Sequence, residues 1–248
     1  MSPIIIEVAA ALGLLVLLAL AFTVGRRLGN RHPDEHPQLG VVQGATLGLM
    51  GLILGFSFSG AMTRFAAREE LIVRHANAIS TLWMRSALAG EQGSLIRTSL
   101  REYTQQLPAA FDAPTSPAFA QAQSQLGELE SSMSDGVLSA VKLEPQLGPV
   151  LLAPLSEVLD ARASRITATN RHLPTLIVIA MLACATLSVG SIGYGMAGGR
   201  QSLLPPAIAL ILLMTCVLWV VLDLDYPRYG FIRISDAPLR DVLQSMTP

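Results

Sequence analysis

The sequence predicts an all-α membrane protein: four transmembrane helices arranged as two hairpins, with a helical extramembrane domain between spans two and three. Three observations carry this. Four stretches stay apolar and nearly uncharged over the roughly 20 residues that a helix needs to cross a hydrocarbon core. Only 14% of the 248 residues are charged and 51% are hydrophobic, with a mean hydropathy of +0.50, whereas about a quarter of an ordinary soluble domain is charged. Between the second and third stretches, apolar residues recur at helical spacing, and no run alternates with the period of a strand.

Span one is expected over Pro3 to Gly25, with Glu7 as its one charge. Ala19-Leu20-Ala21 looks like a cleavage site. The stretch before it, however, has an acid, no Lys or Arg, and too long an apolar core, so a retained anchor is expected. Span two covers Leu39 to Met62 with no charge and one amide, Gln43. Spans three and four cover Leu173 to Met196 and Leu203 to Leu222. The links 26–38 and 197–202 are short, which makes neighbouring spans antiparallel and gives the hairpins. The implied divisions are hairpin one at 1–62, the helical domain at 63–172, hairpin two at 173–225 and a tail at 226–248.

In the middle segment Phe65, Ile72, Ala76, Ile79 and Trp83 share a helical face, opposed by Arg68, Arg74 and Arg85. Ile96, Leu100, Tyr103 and Leu107 repeat the pattern until Pro108 and the D-A-P-T-S-P run of residues 112–117 break it. A third stripe joins Phe119, Ala122, Leu126, Leu129, Met133, Val137 and Ala140. Pro145, Pro149 and Pro154 punctuate, and a last helix is expected from about Leu155 toward span three. The domain is expected to continue spans two and three as unbroken helices.

A net charge of −1 and a pI near 6.4 argue against a nucleic-acid partner, which would call for a basic stripe. Cys184 and Cys216 lie inside apolar runs and read as packing residues. No phosphate loop, nucleophile elbow or His-Glu zinc motif is present, so an enzyme is the least favoured class. His32 and His36, in His32-Pro33-Asp34-Glu35-His36, could hold a metal, and a polar loop explains them equally well. Arginines near span ends prefer the cytoplasm. One orientation places nine of them inside (Arg64, Arg68, Arg74, Arg162, Arg165, Arg171, Arg228, Arg233 and Arg240), and the reverse places four (Arg26, Arg27, Arg31 and Arg200). The count favours a cytoplasmic domain with cytoplasmic termini.

Span two carries two faces. Gly44, Gly48, Gly51, Gly55 and Ser59 fall on one at helical spacing, the pattern by which membrane helices pack closely. Rotated from it are Leu47, Leu54, Phe58 and Phe65, with Gln43 near one end and Met50 near the middle. Against lipid this row needs no explanation; around an axis shared by subunits it would make a hydrophobic constriction. Ser191-Ile192-Gly193-Tyr194-Gly195 is similar to a potassium-channel filter but ends an apolar run, and is expected to be span-end packing. Asp223 and Asp225 sit where span four emerges, at the unfavourable end of a helix dipole. They call for an arginine such as Arg228, Arg64 or Arg68, or for a cation; calcium would need further oxygens from elsewhere.

Four places resemble the bestrophin-like domain family of bacterial membrane proteins: Gly25-Arg26-Arg27-Leu28-Gly29; Leu54-Gly55-Phe56-Ser57-Phe58-Ser59 running on to Ala76-Asn77-Ala78-Ile79; Leu173-Pro174; and Leu222-Asp223-Leu224-Asp225-Tyr226-Pro227-Arg228 running on to Ala237-Pro238-Leu239. His75 departs from the family pattern, which has a glutamate there. The family's name points to bestrophins, pentameric anion channels with a phenylalanine-bearing neck on span two and an acidic calcium clasp after span four. The resemblance implies that Phe58 and its neighbours match the neck and that Asp223 and Asp225 match the clasp. It implies an oligomeric ion channel in the bacterial inner membrane, in contact with lipid, a pentamer that passes inorganic ions. The alternative is a non-conducting scaffold or sensor that docks a partner on its helical domain; a transporter is a weaker third.

Overall fold

The computed structural model describes residues 3–31, 39–111, 117–197, 204–226 and 230–246. Eight α-helices and no strand are found among them: α1 (Pro3–Arg31), α2 (Leu39–Ser86), α3 (Gly90–Ala110), α4 (Pro117–Leu143), α5 (Gly148–Thr169), α6 (Thr175–Gly195), α7 (Leu204–Asp225) and α8 (Ala237–Ser245). Prolines mark several helix starts: Pro3, Pro117, Pro174 before α6, Pro205 and Pro238. There the missing N–H costs nothing and φ is already helical. Four helices are long and apolar enough to cross a membrane.

The chain forms two compact units: Met1–Phe65 with His172–Ile232, and Ala66–Arg171 with Arg233–Pro248. In the first unit α1 lies along α6 and also meets α7. Glycine makes the first contact possible. A methyl group on Gly193 would strike the Phe22 carbonyl, one on Gly25 the Gly190 carbonyl, and one on Gly29 the Tyr194 carbonyl. Around this seam Leu18, Met50, Met181, Ala185, Leu218 and Val221 form a buried apolar core. The filter-like run Ser191 to Gly195 is plain α6 helix whose Gly193 serves that seam.

In the second unit α3 packs along α4, with α5 against α4 and α8 against α3. The predicted stripes are its core: Ile72, Ile79, Ile96, Leu100, Tyr103, Leu107, Leu126, Met133 and Val137 are buried. Two expectations are corrected. The domain continues span two as unbroken helix, since α2 runs from Leu39 to Ser86, but α5 ends at Thr169 and α6 starts at Thr175. Pro174, which has no N–H and disfavours helical geometry at the preceding residue, lies at that break. Conversely, Pro154 does not stop a helix but lies inside α5. A proline there leaves the carbonyl four residues earlier without its helical donor, and Arg85 Nη1 donates to that atom, Val150 O, at 3.3 Å.

Candidate functional site

The membrane part of α2 has one packed and one open side. Met50, Leu54, Ser57 and Ala61 are buried, and Leu47 and Phe65 are partly buried against the same core. Gln43 Nε2 donates to Ser191 O at 2.6 Å. This row, one helical face, is held by the chain's own spans. About 100° round the helix from it, Gly44, Gly48, Gly51 and Gly55 have no atom within 4 Å of where a Cβ would stand, and Ser59 is exposed with them. Phe58 differs from the rest of the bulky row, at 42% exposed, and Phe56 is 71% exposed. Within its own chain the bulky row is thus the packed one. Large side chains gain most from burial and take the intramolecular side, while the small residues face outward, free for a surface outside this chain.

The end of α7 is a junction of buried carboxylates. Asp223 is fully buried, and its Oδ1 and Oδ2 accept the main-chain N–H groups of Phe231 and Ile232, each at 2.8 Å. Gly230 passes so close that any side chain there would strike the Asp223 carboxylate. Asp225, 2% exposed, accepts Arg64 Nε at 3.1 Å through Oδ1 and the Leu173 N–H at 2.8 Å through Oδ2. His172, stacked on Tyr226 with ring centroids 4.4 Å apart, brings Nδ1 to 3.4 Å from Asp225 Oδ2 and 3.2 Å from the Asp225 carbonyl. Near the start of α1, Glu7 is buried and accepts Trp219 Nε1 at 3.3 Å; Trp219 also meets Phe231 edge-on.

Arg64 thus supplies the compensation that the sequence demands of Arg64, Arg68 or Arg228. Calcium binds roughly six to eight oxygens, whereas the oxygens of Asp223 and Asp225 are approached by N–H donors. Among the described residues no group of three or more His, Cys, Asp or Glu could hold a metal. Among the described residues this donor set makes an ion-pair junction. His32, His36 and Arg228 lie outside the described residues.

The basic collar is largely spent inside the second unit. Arg68 is buried and donates to the carbonyls of Ala168 at 3.1 Å and Arg171 at 2.6 Å, closing the end of α5. Arg165 Nη1 donates to His75 Nδ1 at 3.3 Å, which leaves Nε2 to carry the proton toward Tyr103 Oη at 3.1 Å. Tyr103 donates to Glu130 Oε1 at 3.4 Å, and Glu130 Oε2 accepts Arg162 Nη1 at 2.6 Å. The chain of contacts joins α2, α3, α4 and α5. Burial, seconded by the nearby Arg165 and Arg162 charges, lowers the His75 pKa to about 3, so the ring is neutral. Burial and the Glu130 charge push the Tyr103 hydroxyl above its ordinary range. Burial also raises Glu130, against the pull of Arg162. Nothing in the sequence pattern singles out His172 or Trp219, whose partners come from distant positions in the chain.

Residues 11–239 match the family model of the Bestrophin-like domain. Among solved structures, the chain is similar to a bacterial Bestrophin homolog from Klebsiella pneumoniae. One single-substitution form aligns at 14% identity with a TM-score of 0.67, over 95% of each chain. Another aligns at 13% identity with a TM-score of 0.67, over 97% of each. A form phased on zinc aligns at 13% identity with a TM-score of 0.64, over 96% of this chain and 95% of that one. At such identities the likeness is one of fold. No curated protein matches.

Proposed function

The chain belongs to the Bestrophin-like domain family, and from that premise we propose that it forms an oligomeric ion channel, with its pore along span two and its helical unit as a vestibule. The observation that carries the proposal is the open side of α2, where Gly44, Gly48, Gly51 and Gly55 meet nothing of their own chain. A bare glycine face gains little from lipid, whereas small residues let helices of neighbouring subunits approach closely. Phe58, exposed beside that face, is the member of the predicted constriction row free to narrow a shared passage by dewetting. Five copies follow the bestrophin pattern. The arginine count supports a reading with the helical unit and both termini on the cytoplasmic side of a bacterial inner membrane.

Purified protein in planar bilayers should carry ionic current, and Phe58→Ala should change its amplitude or open fraction. Silence of a properly assembled oligomer under varied salts would overturn the proposal. An activity-independent reporter fused to the C-terminus should read cytoplasmic; an external reading would reverse the orientation.

A second reading, a non-conducting scaffold, draws support from exposed apolar side chains on the helical unit: Met84, Leu88, Leu95 and Leu143 are each 59% exposed or more. It predicts loss of partner capture on Leu88→Ser with Leu95→Ser, and no current.

A further inference from the structure

Residues 233–246 follow span four in the chain, yet they pack with residues 66–171, which precede span three. Within that unit α8 lies against α3, and Ile234, Leu239 and Met246 are buried, the last two at 1% exposure. At the start of α8, Asp236 brings Oδ1 to 3.9 Å from Arg165 Nη2. Arg165 is itself 3% exposed, with its guanidinium 3.8 Å over the Phe111 ring and a hydrogen bond to His75. The terminal segment therefore brings both an apolar face and a carboxylate to a prepared seat.

A helix of nine residues is unstable alone, because its nucleation cost is not recovered over so short a length. Its helical form thus depends on the seat, and the seat stays uncovered until the segment arrives. Order of synthesis sharpens this. Residues 66–171 emerge before α6 and α7, and the segment that covers their α3 side emerges after both.

We propose that residues 233–246 are an assembly strap, which docks on α3 and Arg165 once span four has been made and fixes the second unit in its final form. The strap and its seat form a two-state element: docked, it holds α3; undocked, α3 loosens while the α1–α6 seam is untouched. A tail that merely rests on the surface would leave α3 indifferent to its release.

Hydrogen exchange of the full chain in detergent tests this. In Leu239→Asp, which puts a charge into the apolar seat, the α8 amides should exchange like unstructured chain. The α3 amides should exchange roughly tenfold faster or more, with α1 and α6 unchanged. A protease site inserted between Ile232 and Arg233, cut after purification, asks the same question of a protein that has already folded. Release of the strap should accelerate α3 equally, and the 233–246 peptide added back should restore its protection. Strap release with α3 exchange unchanged, or an α8 that stays protected in Leu239→Asp, would overturn the proposal.

Discussion

Arg64, at the end of span two, donates through Nε to Asp225 Oδ1 at 3.1 Å, while the other oxygen of the same carboxylate receives the Leu173 N–H at 2.8 Å. One buried acid thereby ties α2 to the end of α7 and to the approach to α6. An acid at the C-terminal end of a helix is unfavourable alone; the Arg64 guanidinium together with the Leu173 N–H ahead of α6 reverses the balance.

Asp225→Asn and Arg64→Gln should each destabilise the protein, the second by about 3 kcal/mol, because it leaves the buried Asp225 carboxylate without its cation. The double variant should be less destabilised than the sum, with a coupling of at least about 1 kcal/mol by denaturant unfolding in detergent. Strict additivity would show that the contact contributes nothing.

Two sets of glycines should answer substitution differently. Gly193→Ala drives a methyl into the Phe22 carbonyl and should cost about 1–3 kcal/mol. Gly51→Ala meets nothing within its own chain and should leave the protomer's unfolding unchanged while altering the oligomer's resistance to detergent. Equal effects on both measurements would remove the distinction between the two faces.

Much of this was legible in the sequence, and the boundary is physical. Apolar length gave the spans, and the helical period gave the core of the second unit down to Tyr103 and Met133. Which side of α2 meets its own chain was not legible, since bulky and small rows share one periodicity and only tertiary contacts decide between them. The α1–α6 seam was hidden for the same reason: Gly25 and Gly193 are distant in sequence, and each alone reads as span-end glycine. Asp225 announced a need for a cation, but only the fold chooses Arg64 and turns Arg68 to the end of α5. Pro154 stays within α5 because its lost hydrogen bond is replaced by one from Arg85, a residue on another helix.

The second unit should lose stability in acid through His75. The folded ring binds its proton only near pH 3, whereas the unfolded one does so near pH 6.5. The unfolded chain therefore holds the extra proton between these values, and stability falls as pH drops, by about 1.4 kcal/mol per pH unit for one proton. Glu130, raised by burial, acts in the opposite direction, favouring the fold as pH falls toward its unfolded value. His75→Gln should flatten the acid slope in hydrogen exchange of α2 to α5; an unchanged slope would mean that His75 is not the group responsible.

Calcium should leave the junction unmoved. The oxygens of Asp223 and Asp225 face N–H donors, so millimolar calcium should shift the unfolding midpoint no more than magnesium does. A calcium-specific rise that is lost in Asp223→Asn would show that the carboxylates bind the ion after all.

The orientation of span two about a shared axis is the centre of the proposed function, and charged thiol reagents measure it directly. In a background with Cys184 and Cys216 replaced by Ala, Phe58→Cys channels in a bilayer should lose current on exposure to a charged methanethiosulfonate. Met50→Cys and Leu54→Cys channels, whose side chains are packed on their own spans, should be unaffected. Block at Met50→Cys and Leu54→Cys with none at Phe58→Cys would contradict it.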